Sequence, residues 1–113
     1  MTKPLNLNVR THWAVKAKQV REVRQAAASL TAAAKVPPLQ HISVELHYRP
    51  KDKRRRDPLN LVAMLKPIED GIVDAGIIPD DTPEYLTPVM PIIDMPSKDP
   101  ALYFIIKEQD GQV

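Results

Sequence analysis

From His41 to Tyr48 polar and apolar side chains alternate without a break, Ile42, Val44, Leu46 and Tyr48 facing one way and His41, Ser43, Glu45 and His47 the other. Period-two alternation marks a strand with one face in a core, and helix-period segments flank it. In residues 11–35, Trp13, Ala17, Val20, Ala27, Leu30 and Ala34 recur at spacings of three, four and seven, as one buried helical face requires. Alanine runs favour that helix, and Pro37-Pro38 ends it. A second helix is expected from about Pro58 to Ala75, with Leu61, Leu65, Ile68 and Ile72 as its stripe, a kink or division at Pro67, and Gly76 as its C-terminal stop. Residues 102–107 read as another strand. Residues 86–94 read as an edge or irregular strand because of Pro88 and Pro91. Residues 95–101 and 108–113 read as loop and end. The expectation is one α+β domain over residues 1–113, a small mixed sheet packed with two helices.

A single modest core suits 113 residues of which 43% are hydrophobic, and with aromatics at only 4% aliphatic packing must carry it. The absence of cysteine excludes disulfides, thiolate catalysis and Cys-ligated zinc. No apolar run approaches a membrane span, and no signal-peptide core follows Met1, so a cytoplasmic protein is expected. Gly71, Gly76 and Gly111 form no phosphate loop or dinucleotide fingerprint, and Ser29, Ser43 and Ser97 form no nucleophile elbow. His41 and His47 lie some 20 Å apart along a strand at ~3.3 Å per residue, too far to share a metal ion, and read as surface histidines.

A net charge of +2 conceals a partition: residues 1–56 carry 13 Lys/Arg against 3 Asp/Glu, and residues 57–113 carry 3 against 11. The sign changes between Arg56 and Asp57. A basic half suits phosphate contacts and an acidic half a divalent cation; the plain alternative is that the halves neutralise one another in the fold. The basic candidates are Lys16, Lys18, Arg21 and Arg24 on the first helix and Lys51, Lys53, Arg54, Arg55 and Arg56 in the connector. A solvated helix face and a solvated loop are the plain alternatives.

With nucleophiles and phosphate loops excluded, carboxylates remain. Asp57 before Pro58 has the form of a helix N-cap, which would also set its carboxylate and the Asn60 amide on one first turn. Asp80-Asp81 reads either as a polar turn between prolines or, since adjacent acids repel, as a pair awaiting a cation.

Arg55-Arg56-Asp57-Pro58-Leu59-Asn60-Leu61, then Lys66 and Asp70, then Gly76-Ile77-Ile78-Pro79-Asp80-Asp81, together with Leu7-Asn8 and His12-Trp13 ahead of a basic helix, resembles the RusA family of Holliday-junction resolvases. The likeness spans roughly residues 5–94 and is most specific from Asp57 to Asp81. It implies a RusA-like α+β homodimer, frequently of phage or prophage source, that binds four-way DNA junctions and cuts phosphodiesters with Mg²⁺. On that likeness Asp57, Asp80 and Asp81 would hold metal, and Asp57, Asp81, Lys66 and Asp70 would serve catalysis. Asn60 and the basic residues would contact DNA. Lys66 lies three residues farther from Asn60 than the family pattern has it. Leu59 stands where the signature has its middle aspartate; Asp70, re-aimed by a kink at Pro67, is the expected substitute. A junction-binding protein of the same fold without cleavage, or an assembly module that never meets nucleic acid, are the rival expectations.

Overall fold

The computed structural model describes residues 4–7 and 17–109, with Ala17, Lys18, Gln19 and Asn60 described in backbone alone. Its elements, in chain order, are β1 (Pro4–Asn6), α1 (Ala17–Ala33), β2 (Ile42–Arg49), the 3₁₀ helix η1 (Pro58–Met64), α2 (Leu65–Asp74), β3 (Leu86–Pro88), β4 (Ile92–Ile93) and β5 (Ala101–Glu108). Together they form one mixed five-stranded sheet with two packed helices, the α+β architecture expected from the sequence.

The alternating segment is the centre of that sheet. β2 pairs antiparallel with β5 along its whole length and parallel with β3 and β4, while β1 adds antiparallel to the far side of β5. Two parallel neighbours in sequence order need a crossover between them, which η1 and α2 supply. Pro91 lies between β3 and β4, and the segment expected as one edge strand is accordingly two short pieces on β2. β1 had no sequence signal, being three residues long.

Ladder register decides what each face carries. Val44 opposes Ile106, and Leu46 opposes Phe104, which in turn opposes Leu5; all are buried. Val23 and Ala27 of α1 and Ile68 and Ile72 of α2 complete the same core. Trp13, expected on the buried face of α1, lies outside the described residues. Thr31 is buried on α1 with its hydroxyl donating to the Ala27 carbonyl at 2.7 Å, which satisfies the only polar group it brings inside.

The two helices approach closely at Gly71. A Cβ there would lie 2.5 Å from the Arg24 carbonyl oxygen and 2.8 Å from the Ala27 Cβ, so only glycine admits this crossing. α2 ends in a Schellman arrangement: the Gly76 N–H donates to Val73 O at 2.9 Å and the Ile77 N–H to Ile72 O at 3.4 Å, with Gly76 at φ 83°. α1 ends before Pro37-Pro38, its last turn closed by Lys35 at φ 56°.

The expected helix from Pro58 is two helices in series. Pro58, Leu61 and Met64 recur at intervals of three, the 3₁₀ repeat, and Leu61 and Met64 are buried. From Met64 the buried positions change to Ile68 and Ile72, an α-helical spacing. Pro67 does not interrupt α2, because it sits in the first turn, where backbone N–H groups lack intrahelical partners anyway.

Candidate functional site

Asp57 opens η1 as its N-cap, in extended conformation, with Oδ1 accepting the Leu59 N–H at 3.0 Å and Pro58 following at the first helical position. Asp57 lines a cleft of about 1060 Å³ together with Tyr48, Lys51, Arg54, Arg55, Arg56 and Leu61, among others. The basic connector thus builds a concave surface beside the helix start instead of trailing as a loose loop.

Asp52 organises that connector. It accepts the Arg54 N–H at 3.0 Å and the Arg56 guanidinium at 2.8 Å, and those contacts hold its carboxyl below the usual range. Arg56 also donates to the carbonyls of Asp52 and Arg54 and lies over the Tyr48 ring at 5.4 Å. With its side chain only 18% exposed, Arg56 braces the cleft and is spent on its own loop. Arg54 reaches Asp52 at 3.6 Å but is largely exposed. Lys51, Lys53 and Arg55 are exposed and make no ion pair with other described residues.

The first helix contributes less than its charge suggested. Arg24 forms a two-pronged pair with Asp74, Nε to Oδ2 at 2.6 Å and the second nitrogen to Oδ1 at 2.8 Å, and so ties α1 to α2. Asp74 is pulled below the ordinary carboxylate range by that guanidinium. Arg21 is exposed and outside any ion pair among the described residues. Lys16 and the side chains of Lys18 and Asn60 lie outside the described residues.

Across α2 a second centre forms. The Lys66 ammonium pairs with Asp81 Oδ2 and with Asp70 Oδ1 at 3.2 Å, while Arg24 approaches the other oxygen of Asp70 at 3.8 Å. A kink at Pro67 was expected to bring Asp70 into play. Instead α2, continuous through Pro67, places Asp70 one turn after Lys66, and the Ile77–Ile78 step, buried in the core, carries Asp81 back to the same ammonium. Lys66 holds the Asp81 carboxyl below its usual range, and the two acids raise the lysine. Glu69 has the opposite shift: burial first, and then the charge of Asp81, push it up. Asp80 accepts the Asp81 N–H at 2.8 Å, fixing the turn, with its own side chain exposed.

The expected metal trio of Asp57, Asp80 and Asp81 is not assembled. No group of three His, Cys, Asp or Glu able to hold a metal ion occurs among the described residues. The cause is local: Asp57 is turned onto its own helix N-terminus, Asp80 onto the next backbone N–H, and Asp81 onto Lys66. Asp81 and Asp70 are the carboxylates that meet.

A polar cluster on the other sheet face was missed. His47 is no ordinary surface histidine: its side chain is 13% exposed, with Nδ1 2.9 Å from Asp94 and Nε2 3.1 Å from Glu45. It stacks on Tyr103 at 4.8 Å, and the Tyr103 hydroxyl donates to Asp94. Burial, then that contact, pushes Tyr103 up to about 12. The i, i+2 placement of Glu45 and His47 on one strand face was the available signal, whereas Asp94 and Tyr103 join only through the fold. His41 Nδ1 donates to the Glu84 carbonyl at 2.9 Å, and its Nε2 lies 2.6 Å from the Thr87 hydroxyl.

No protein-family model matches the chain, and no curated protein matches it.

Proposed function

We propose that this protein binds branched DNA along the connector cleft and cleaves phosphodiesters at the carboxylates around Lys66, as a structure-selective endodeoxyribonuclease similar to the RusA resolvases. The observation that carries the reading is the convergence of Asp70 and Asp81 on one ammonium, in a chain whose basic connector forms a cleft lined by Lys51, Arg54 and Arg55. Isolated acid pairs are costly without a cation, and here the chain lends its own.

Asp70 and Asp81 suit Mg²⁺ in kind, since this ion often takes only one or two carboxylates and completes its shell with water and substrate phosphate. Those two residues would hold it, and when bound it supplies a Lewis acid against a phosphoryl oxygen. Lys51, Lys53 and Arg55 hold the DNA backbone, and such contacts position without reading sequence. Lys66, once its ammonium is released from the acid pair, stands available to offset charge developing on the phosphate. Asp80 keeps the turn that presents Asp81. A homodimer would offer two such sites about a twofold axis, matching paired cuts on a symmetric junction.

Leu59 favours a second reading, a junction-binding protein that does not cut. It occupies the family's middle aspartate position and is 60% exposed, so an acid would fit there without disturbing the core. Incubating a four-way junction with Mg²⁺ and wild type or Leu59→Asp separates the two. Cleavage by wild type supports the nuclease; cleavage by Leu59→Asp alone assigns the natural chain to binding. Replacing Lys53 and Arg55 by Ala should lower the slope of log affinity against log salt by about 1 per lost phosphate contact.

A further inference from the structure

We infer that Leu59 and Val62 form an apolar ridge that rests against unstacked nucleobases, giving the protein its preference for DNA whose base stack is interrupted; this rests on the DNA reading above. In a 3₁₀ helix residues three apart eclipse one another, so η1 has distinct ridges. Pro58, Leu61 and Met64 turn inward, Leu61 and Met64 into the core and Pro58 and Leu61 along the cleft. Leu59 and Val62, one register on, are 60% and 41% exposed.

Single exposed aliphatics are ordinary on a protein surface, but these two are adjacent on one short helix. The N-cap of that helix, Asp57, itself lines the cleft and immediately follows its three arginines. The partner that puts phosphates against Arg54 and Arg55 and apolar surface against the neighbouring ridge is a nucleic acid with accessible base faces. In an intact duplex those faces are stacked away, whereas apolar side chains inserted at weakened steps gain contact at the least unstacking cost.

The experiment compares wild type with Leu59→Ala/Val62→Ala by fluorescence anisotropy, on a four-way junction and on a linear duplex of matching arms at one low salt concentration. A 2-aminopurine at the branch point reports unstacking. Both replaced side chains are solvent-facing, so the variant keeps its fold, checked by its melting curve. Wild type should favour the junction and raise 2-aminopurine emission. The variant should lose roughly tenfold in junction affinity, the scale on which burying one aliphatic side chain moves an equilibrium, keep its duplex affinity, and lose the emission rise. Unchanged junction preference and emission in the variant overturn the ridge while leaving the DNA reading intact. Wild type binding neither DNA overturns the DNA reading and the ridge together. A variant that loses only self-association shows the ridge to be covered by a second copy, which also overturns it.

Discussion

Individual residues carry the sharpest expectations. Lys35 holds a left-handed conformation at the end of α1, φ 56°, where a Cβ is disfavoured. Lys35→Gly should therefore raise unfolding free energy by about 1 kcal/mol, read from the urea midpoint. Gly71→Ala should do the reverse, costing about 1–3 kcal/mol, because its methyl would press on the Arg24 carbonyl and the helices would have to part. Glu69 is partly buried beside Asp81, and its folded-state pKa is raised. A raised acid favours the fold below its ordinary value, near pH 4.3, and loses that contribution as pH rises through the folded value. Glu69→Gln should accordingly raise the melting temperature at pH 7, with the gain vanishing near pH 4. At this scale the sequence was a good guide to type and a poor one to employment. Asp57 as an N-cap and Lys66 with Asp70 as an i, i+4 pair follow from local spacing. Arg24 and Arg56 were counted as DNA contacts because nothing local shows that Asp74 reaches Arg24 from another helix, or that a loop folds Asp52 onto Arg56.

At the scale of elements, strong periodicity was legible and its changes were not. β2 announced itself by alternation, and β5 was legible as the short apolar run from Leu102 to Ile106. The stretch after Pro58 was assigned one helical stripe, yet Leu61 and Met64 follow a three-residue repeat before Ile68 and Ile72 adopt the four-residue one. Proline suggested a break at Pro67, whereas the transition precedes it and the ring fits the first turn of α2. The α1–α2 pairing adds a modest ionic contribution. Arg24 and Asp74 are 48% and 41% exposed, so a double-mutant cycle on Arg24→Ala and Asp74→Ala should give a coupling of only about 0.5–1 kcal/mol, declining with salt. Acid should act on the more protected carboxylates, Asp81 and Glu45. Lys66 lowers Asp81, and Lys107 followed by His47 lowers Glu45. A lowered carboxylate contributes stability above its ordinary value near pH 4 and loses it as pH falls through the folded value. Unfolding followed by circular dichroism should hence set in below about pH 4, and Glu45→Gln should flatten that limb.

For the molecule as a whole, the charge partition that marked the sequence has two uses in the fold. Part of it is internal: Arg24 with Asp74 and Asp70 joins the basic half to the acidic half across the helix pair. Another part stays outward, in Lys51, Arg54 and Arg55 around the cleft and in the exposed Lys53 of the same connector. Sequence order alone could not divide these shares, because the division depends on which acids the sheet and α2 bring within reach. Among the described residues no helix is long and apolar enough to cross a membrane. The claim that joins cleft to acids is that Asp81, held by Lys66, serves phosphodiester cleavage and not DNA affinity. A single gel assay tests it most directly: wild type and Asp81→Asn on a labelled four-way junction with Mg²⁺, binding and cleavage being read from the same samples. The account predicts cleavage by wild type, and junction binding without detectable cleavage by Asp81→Asn. Equal cleavage by both proteins, or binding by wild type with no cleavage at any Mg²⁺ concentration, would contradict it.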